Sequence, residues 1–180
     1  MTRKEMSEIF ALLLLAYPNA EVFKGGIQKL APTIELWTAA LPDVDFWTGQ
    51  QAALKLVKEC TFPPSIAEFR EKAELVRTEL REQAGAAWDT LKGLLRLAGL
   101  SPAEAVAHSM TPAFVRQVVA DMGGPDSLVK RVESVDKYGR RTVIEKYAYY
   151  EFCEAYEAAV RKAEAFPRNA PQTKQIGGHK

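Results

Sequence analysis

Cysteine and histidine are scarce in this chain, and their scarcity excludes several kinds of site. The sequence of 180 residues contains two cysteines, Cys60 and Cys153, and two histidines, His108 and His179. The cysteines lack the spacing of a zinc site or a disulfide framework, and no histidine lies in an H-E-x-x-H pattern or beside a plausible nucleophile. We therefore predict no metal site, no catalytic residue and no cofactor.

Patterns for nucleotide binding and for a membrane span are also missing. Neither Gly25-Gly26 nor Gly123-Gly124 is followed by the lysine and hydroxyl residue of a phosphate-binding loop. The apolar run from Ile9 to Tyr17 is too short to cross a bilayer, and the acids Glu5 and Glu8 favour a buried helix over a signal peptide. The sequence predicts a cytoplasmic protein that is not an enzyme and has no membrane partner.

No charge of one sign dominates the whole chain. Lysine and arginine number 24, against 23 acidic residues, so the overall balance does not indicate a nucleic-acid or membrane partner. Residues 129–180, however, hold 11 basic and 7 acidic residues. An anionic partner is therefore expected to meet the C-terminal third.

The stretch from Phe62 to Phe69 is the most informative local pattern. It contains a proline pair that ends one helix, followed by Ser65 and Glu68 at the spacing of a capping box, which starts another helix. Phe62 is expected to pack against Phe69 as a hydrophobic staple. We interpret the stretch as a rigid elbow between two helices.

Apolar residues at helical spacing and further capping patterns predict a mainly α fold. Two small helical bundles are expected, joined by a longer charged helix from Ser65 to about Gln83, with a seam at Gly85 and a helix from about Trp88 to Ala98. The segment from Arg70 to Gln83 is interpreted as a solvated connector. The predicted parts of the chain are an N-terminal helical domain at 1–85, a C-terminal helical domain at 86–166 and a flexible basic tail at 167–180.

Short helices with sharp boundaries are predicted in the second half. A capping box at Ser101 and a cap at Thr111 precede two of them, and a final helix is expected from about Glu145 to Ala165. Between these helices, β-branched residues flank a turn-like segment with a glycine, which predicts a short β-hairpin near 132–144.

The hairpin carries a basic cluster. Between residues 130 and 146 there are 6 basic and 3 acidic residues, with Tyr138 among them. Such a surface suits phosphate, although an ordinary solvated turn has the same composition. The candidate nucleic-acid contacts are Lys130, Arg131, Lys137, Arg140 and Arg141.

The N-terminal part of the chain resembles a known family. Tyr17-Pro18 at a helix end, Leu36-Trp37 and the elbow from Phe62 to Phe69 follow the order and spacing found in phage-encoded replicative helicase loader and inhibitor proteins. The second half, with Trp88 and the stretch from Pro112 to Arg116, is similar to the corresponding portion of longer prophage members.

This resemblance implies a function without chemistry of its own. Proteins of that family are small helical adaptors that bind the hexameric replicative helicase, inhibit it, and help to load it at an origin through an initiator protein. A flexible C-terminal region contacts the helicase, which here points to Lys174, Gln175 and Ile176 or to a face of the second domain. The alternative is a DNA-binding replication organiser or regulator that uses the basic 130–146 segment and the tail.

Overall fold

Seven α-helices and one β-hairpin make up the described chain. The computed structural model describes residues 1–25, 27–96, 98–135 and 137–164. The elements are α1 (Arg3–Ala16), α2 (Ala31–Ala40), α3 (Phe46–Glu59), α4 (Ile66–Arg96), α5 (Pro102–Ala107), α6 (Ala113–Asp121), β1 (Val129–Val135), β2 (Arg141–Tyr147) and α7 (Tyr149–Ala163). The prediction of a mainly α fold with a small hairpin is confirmed, and the predicted tail at 167–180 lies outside the described residues.

The first apolar core lies between α1, α2, α3 and the start of α4. Its centre is a series of edge-to-face aromatic contacts, with ring centroids 6.4 Å apart for Phe23 and Phe10, 5.1 Å for Phe10 and Trp37, and 5.3 Å for Trp37 and Phe69. These contacts join residues from four separate elements. Edge-to-face rings attract each other in addition to the gain from burying them, so this series fixes how the helices pack.

The Tyr17 side chain, at the end of α1, is hydrogen-bonded to the end of α3. Its hydroxyl donates to the backbone carbonyls of Leu56 and Cys60, at 3.3 and 3.1 Å. Leu56 is in the last turn of α3, where its carbonyl also accepts the Cys60 amide, and Cys60 is the residue that follows the helix. The tyrosine therefore joins the C-terminal ends of α1 and α3.

Helix α4 is a single helix of 31 residues, and the predicted helix boundary at Gly85 is wrong. A glycine inside a helix costs conformational entropy, but it does not break the hydrogen-bond ladder. Burial of Ala84 and Trp88 on either side of Gly85 favours continuation through it. The helix ends at Arg96, close to the predicted end at Ala98, and the chain then turns at Gly99, which adopts a φ of +66° while the Leu100 amide donates to Leu94 O at 3.2 Å.

The segment from Arg70 to Gln83 is not solvated on all sides, which corrects the interpretation as a connector. Val76 and Leu80 are buried. On a neighbouring face, the Lys55 ammonium of α3 lies 2.7 Å from the Glu79 carboxylate. One stripe of α4 therefore packs while the rest of its surface carries charge.

The second apolar core surrounds Trp88 of α4. The Phe152 ring of α7 lies 5.3 Å from the Trp88 ring, and Val115, Val118 and Leu128 are also part of the buried cluster.

Thr111 is fully buried, and its hydroxyl donates to Ala105 O at 2.7 Å. The prediction that Thr111 caps α6 is wrong, because Pro112 occupies the cap position and the Thr111 hydroxyl instead holds α5 against the start of α6.

Helix α7 returns along α4 towards the first core. Its start lies beside Trp88, whereas Val160 and Glu164 near its end line a cleft with Trp47 and Leu80. The Arg161 guanidinium lies 5.9 Å from the Trp47 ring centroid, a cation–π arrangement. The two cores are thus connected by both α4 and α7, and the division into domains at residue 85 stays a prediction.

Capping boxes form at the start of three helices, and the two predicted at Ser65 and Ser101 are confirmed. In each, the serine or threonine hydroxyl accepts a backbone N–H three residues on, and the glutamate accepts the N–H of the cap. The pairs are Thr2 with Glu5, Ser65 with Glu68, and Ser101 with Glu104. The hydrogen bonds from Ser65 to the Glu68 carboxylate lower the pKa of that carboxyl, as those from Ser101 do for Glu104.

The hairpin is longer than predicted. It begins at Val129 and ends at Tyr147, with Gly139 in the connecting turn at a φ of +77°. Helix α7 consequently starts at Tyr149 and not near Glu145. Residues 145–147 pair with residues 129–131 of β1, and this strand pairing takes precedence over the helical spacing that follows.

Candidate functional site

The hairpin projects from the second core as a two-stranded ribbon, which we call the ribbon and define as residues 129–147. Its base is fixed by buried Leu128 and Ala148, whose backbones are joined by a hydrogen bond of 3.0 Å from Ala148 N to Leu128 O. The Tyr147 ring lies 6.4 Å from the Trp88 ring. From residue 130 to residue 146, no described residue is buried, so both faces of the ribbon meet solvent.

Lys130 and Arg131, which are among the predicted nucleic-acid contacts, pair with acidic side chains of the chain. The Lys130 ammonium donates to the Glu151 carboxylate of α7, and this hydrogen bond lowers the pKa of Glu151. Arg131 lies opposite Glu145 in the register of the strands, with Nε 3.5 Å from the carboxylate. These pairs neutralise part of the charge at the base of the ribbon.

The other three predicted contacts come together at the far end of the ribbon. The Lys137 ammonium lies 5.1 Å from the centroid of the Tyr138 ring, and the Arg140 guanidinium lies 5.4 Å from it. Arg141 lies opposite Val135 at the last paired position of the strands. Because Tyr138 is 70% exposed, cations and an aromatic face are presented together at the tip, and a nucleic-acid contact there stays a prediction.

Sequence reasoning missed the exposed aliphatic surface of the ribbon. Val135 and Val143 are 62% and 63% exposed, and Val132 and Ile144 are 38% and 45% exposed. The register places the first two on one face and the last two on the other. The sequence did contain a sign of this surface. β-branched residues occur at both odd and even positions of the strands, so they cannot all face one core.

The elbow also exposes a large apolar side chain. Phe62 is 78% exposed, so the predicted hydrophobic staple with Phe69 is wrong. A staple uses the residue directly before the cap, and that residue is Pro64, which is buried. Phe62 instead borders a shallow cavity of about 290 Å³ together with Tyr17, Pro18, Thr61 and Pro63.

A groove of about 760 Å³ lies between the base of the ribbon and the loop that follows α4. Arg131 and Glu145 form part of one wall, and Ser101 and Glu104 part of the other. These side chains are engaged in the ribbon ion pair and in the capping box of α5. Their geometry is accounted for by folding, and it does not indicate a reaction.

Chemistry elsewhere in the described residues is equally sparse. Within residues 1–25, 27–96, 98–135 and 137–164, no group of His, Cys, Asp and Glu is arranged to hold a metal ion. None of the helices in those ranges has the length and apolar character needed to cross a membrane. His108 lies at the end of α5, where its Nδ1 accepts the Met110 amide at 3.2 Å.

The predicted helicase contacts cannot be placed in the structure. Lys174, Gln175 and Ile176 lie outside the described residues. Their nearest described neighbour in sequence is Glu164, at the end of α7 and beside the first core. A contact through these three residues stays a prediction.

Comparison with known protein families gives a match to the N-terminal part of the chain. Residues 1–70 match the family model for the N-terminal domain of a phage helicase loader and inhibitor protein. The matched segment contains Tyr17-Pro18, Leu36-Trp37 and the elbow from Phe62 to Phe69, so the resemblance based on these motifs is confirmed. No curated protein and no solved structure matches the chain.

Proposed function

We propose that this chain, whose residues 1–70 carry the N-terminal domain of the phage helicase loader/inhibitor family, is a non-enzymatic adaptor for a replicative DNA helicase. In this proposal it binds the hexameric helicase, inhibits it, and helps to deliver it to an origin through an initiator protein. It acts in the cytoplasm of the bacterial host cell. The observation that carries the proposal is the family match over residues 1–70, which contain most of the first core.

The position of the end of α7 supports a helicase contact made by the residues that follow it, beginning beside the first core. Glu164 lies in a cleft with Trp47 and Lys55, so the chain leaves α7 beside α3. Ten residues on, Lys174 can lie at most about 35 Å from Glu164. Lys174 to Ile176 are therefore tethered to the end of α7 that lies beside the first core.

Mixing the full chain with the replicative helicase of its host and ATP is expected to give a co-eluting complex with reduced helicase ATPase activity. A chain that ends at residue 166 retains every described residue, and we expect it to lose most of the affinity. Ile176→Ser tests the apolar anchor alone, and Ala170→Ser is the matched control in the same segment. Size-exclusion chromatography and ATPase rates measure both effects.

Two results would contradict different parts of this proposal. Failure to form a complex with any nucleotide state of the helicase contradicts the adaptor function itself. A complex of unchanged affinity with the chain that ends at residue 166 leaves the function intact and contradicts the assignment of the contact to the tail.

The second candidate function is DNA binding through the tip of the ribbon, and the cluster of Lys137 and Arg140 on Tyr138 favours it. A two-stranded ribbon fits the major groove, and cationic groups at its tip would contact phosphates. Replacing Lys137, Arg140 and Arg141 together by alanine is expected to weaken duplex binding and to reduce the slope of log K against log salt by about 3. Fluorescence anisotropy over a salt series measures this slope.

The matched control for this triple variant changes three basic residues remote from the ribbon, Lys4, Lys29 and Lys58. The control lowers the net charge equally, so an equal loss of affinity would show that binding follows total charge and not the tip. No binding of the unmodified chain even at low salt would remove this candidate.

A further inference from the structure

The ribbon is an incomplete sheet. Within the described residues β1 pairs with β2 alone, and residues 130 to 146 contribute no buried side chain. An isolated two-stranded hairpin is marginally stable in water, and three or more strands with an apolar face, or packing on a helix, are needed for independent stability. A strand that adds at an edge satisfies the free backbone groups there and partly shields the valines and isoleucine described above, because its side chains lie beside them on both faces.

The sequence of β1 is complementary to itself when it runs antiparallel about Val132. In that register Arg131 lies opposite Glu133 of a second strand, and Glu133 opposite the second Arg131, so two opposite-charge pairs form on one face. On the other face Val132 meets its own copy, while Lys130 lies opposite Ser134. At the ends, Val129 lies opposite Val135.

The neighbouring symmetric registers are unfavourable. A two-fold axis perpendicular to the sheet places each side chain opposite one on the same face, so the axis must pass through a residue position. The nearest alternatives to Val132 are therefore pairings centred on Arg131 or on Glu133. Each shift places two like charges directly opposite each other, which is destabilising. The charge pattern of β1 therefore specifies one register.

The edge of β2 is less complementary. Centred on Ile144, it places Glu145 opposite Val143 and pairs no opposite charges. Centred on Val143, it pairs Arg141 with Glu145, but it also places Arg140 of the turn opposite Lys146. Of the two edges, β1 is the better match for a copy of itself.

We propose that two copies of this chain associate through β1, which pairs antiparallel with β1 of the second copy about Val132 to form a continuous four-stranded sheet. The two tips then point in opposite directions, which keeps the cationic residues around Tyr138 of the two copies apart. The occupant of this edge is a second copy because the edge itself supplies the complementary charges and the matching valine.

A cysteine placed at the two-fold axis tests the register directly. In the proposed sheet two copies of residue 132 face each other at about 4.5–5.5 Å between Cα atoms, a separation that a disulfide can bridge. Val132→Cys is therefore expected to give a covalent dimer under mild oxidation. The matched control is Val143→Cys on β2, which is more exposed, at 63% against 38%, and is expected to remain monomeric.

Because the control thiol is the more accessible one, random collisions would cross-link it at least as fast. Equal cross-linking of both variants, or faster cross-linking of Val143→Cys, overturns the proposal. The unmodified chain, with Cys60 and Cys153 half-buried, gives the background.

Charge reversal tests the same register without oxidation. Glu133→Arg places two arginines opposite each other in both pairs, and we expect the dimer to dissociate about tenfold more readily. Adding a double substitution to it, Arg131→Glu with Glu145→Arg (the double variant), keeps the ion pair within the ribbon, restores both opposite-charge pairs across the axis and is expected to restore most of the dimer. Light scattering during size-exclusion chromatography measures the mass over a range of concentrations.

Each outcome of this series is decisive. A dimer that the double variant regains supports the pairing about Val132. A chain that stays monomeric at every concentration, or a dimer unaffected by Glu133→Arg, overturns it. Cross-linking of Val132→Cys that requires added duplex DNA also overturns it and assigns the ribbon to DNA. All measurements use the purified full chain, so they are independent of whether it binds a helicase.

Discussion

Phe69→Ala is expected to lower the free energy of unfolding by about 3–5 kcal/mol. The Phe69 side chain is fully buried, and its ring packs edge to face on Trp37 at 5.3 Å. Removing it leaves a cavity among helices that already pack closely and also removes the contact with Trp37. Urea denaturation followed by circular dichroism and by tryptophan fluorescence measures the loss.

Phe62→Ala is the matched control for this prediction, because it removes the same side chain seven residues earlier. Phe62 is 78% exposed, so its removal is expected to change the free energy of unfolding by no more than about 0.5 kcal/mol. If both substitutions destabilise the chain equally, Phe62 packs against Phe69 after all and is not an exposed side chain. Helicase affinity of Phe62→Ala, measured alongside, shows whether this aromatic side chain contacts the partner.

The helix starts that carry a capping box were predictable because the box depends on residues three positions apart. The hydroxyl and carboxylate of a capping box bind backbone groups of their own turn, so Ser65 and Glu68 needed no knowledge of the rest of the fold. The same reasoning identified Gly99, whose positive φ follows from the absence of a Cβ atom. Local chemistry thus determined several of the element boundaries.

The contacts between distant elements were not predictable in this way. Whether Gly85 interrupts a helix depends on whether the residues beside it are buried, and that depends on α7, which lies more than sixty residues later in the chain. The cation–π contact of Arg161 with Trp47 likewise joins residues that no sequence pattern relates. Packing of this kind outweighs the weak helical preference of a single residue.

For the candidate site too, the sequence predicted local properties but not contacts between distant elements. The sequence located the basic cluster, since charge is a property of composition. It did not show that Glu151 would accept a hydrogen bond from Lys130, because the two residues meet only when α7 packs beside the ribbon. The sequence also indicated aliphatic residues in both strands, but it did not show that these residues would remain exposed.

Gly85→Pro is expected to destabilise the chain by about 3 kcal/mol or more, whereas Gly85→Ala is expected to stabilise it by about 0.5–1 kcal/mol. Proline removes a backbone hydrogen bond in the middle of α4 and its ring clashes with the preceding turn. Alanine fits without a clash, since a Cβ atom at Gly85 would meet nothing within 4 Å. Helix α4 contributes Val76 to one core and Trp88 to the other, so a break between them should disturb both.

The pair of substitutions at one position distinguishes a continuous helix from two helices that meet at a seam. Urea denaturation measures the free energy of unfolding, and far-ultraviolet circular dichroism measures the helical content. If residue 85 were in a turn between two helices, proline would be tolerated, and alanine would give no gain because the glycine would no longer be in a helix. Opposite signs for the two substitutions would therefore show that α4 runs without a break from the first core to the second core. A partner bound at one core would then be held in a fixed orientation relative to the other core.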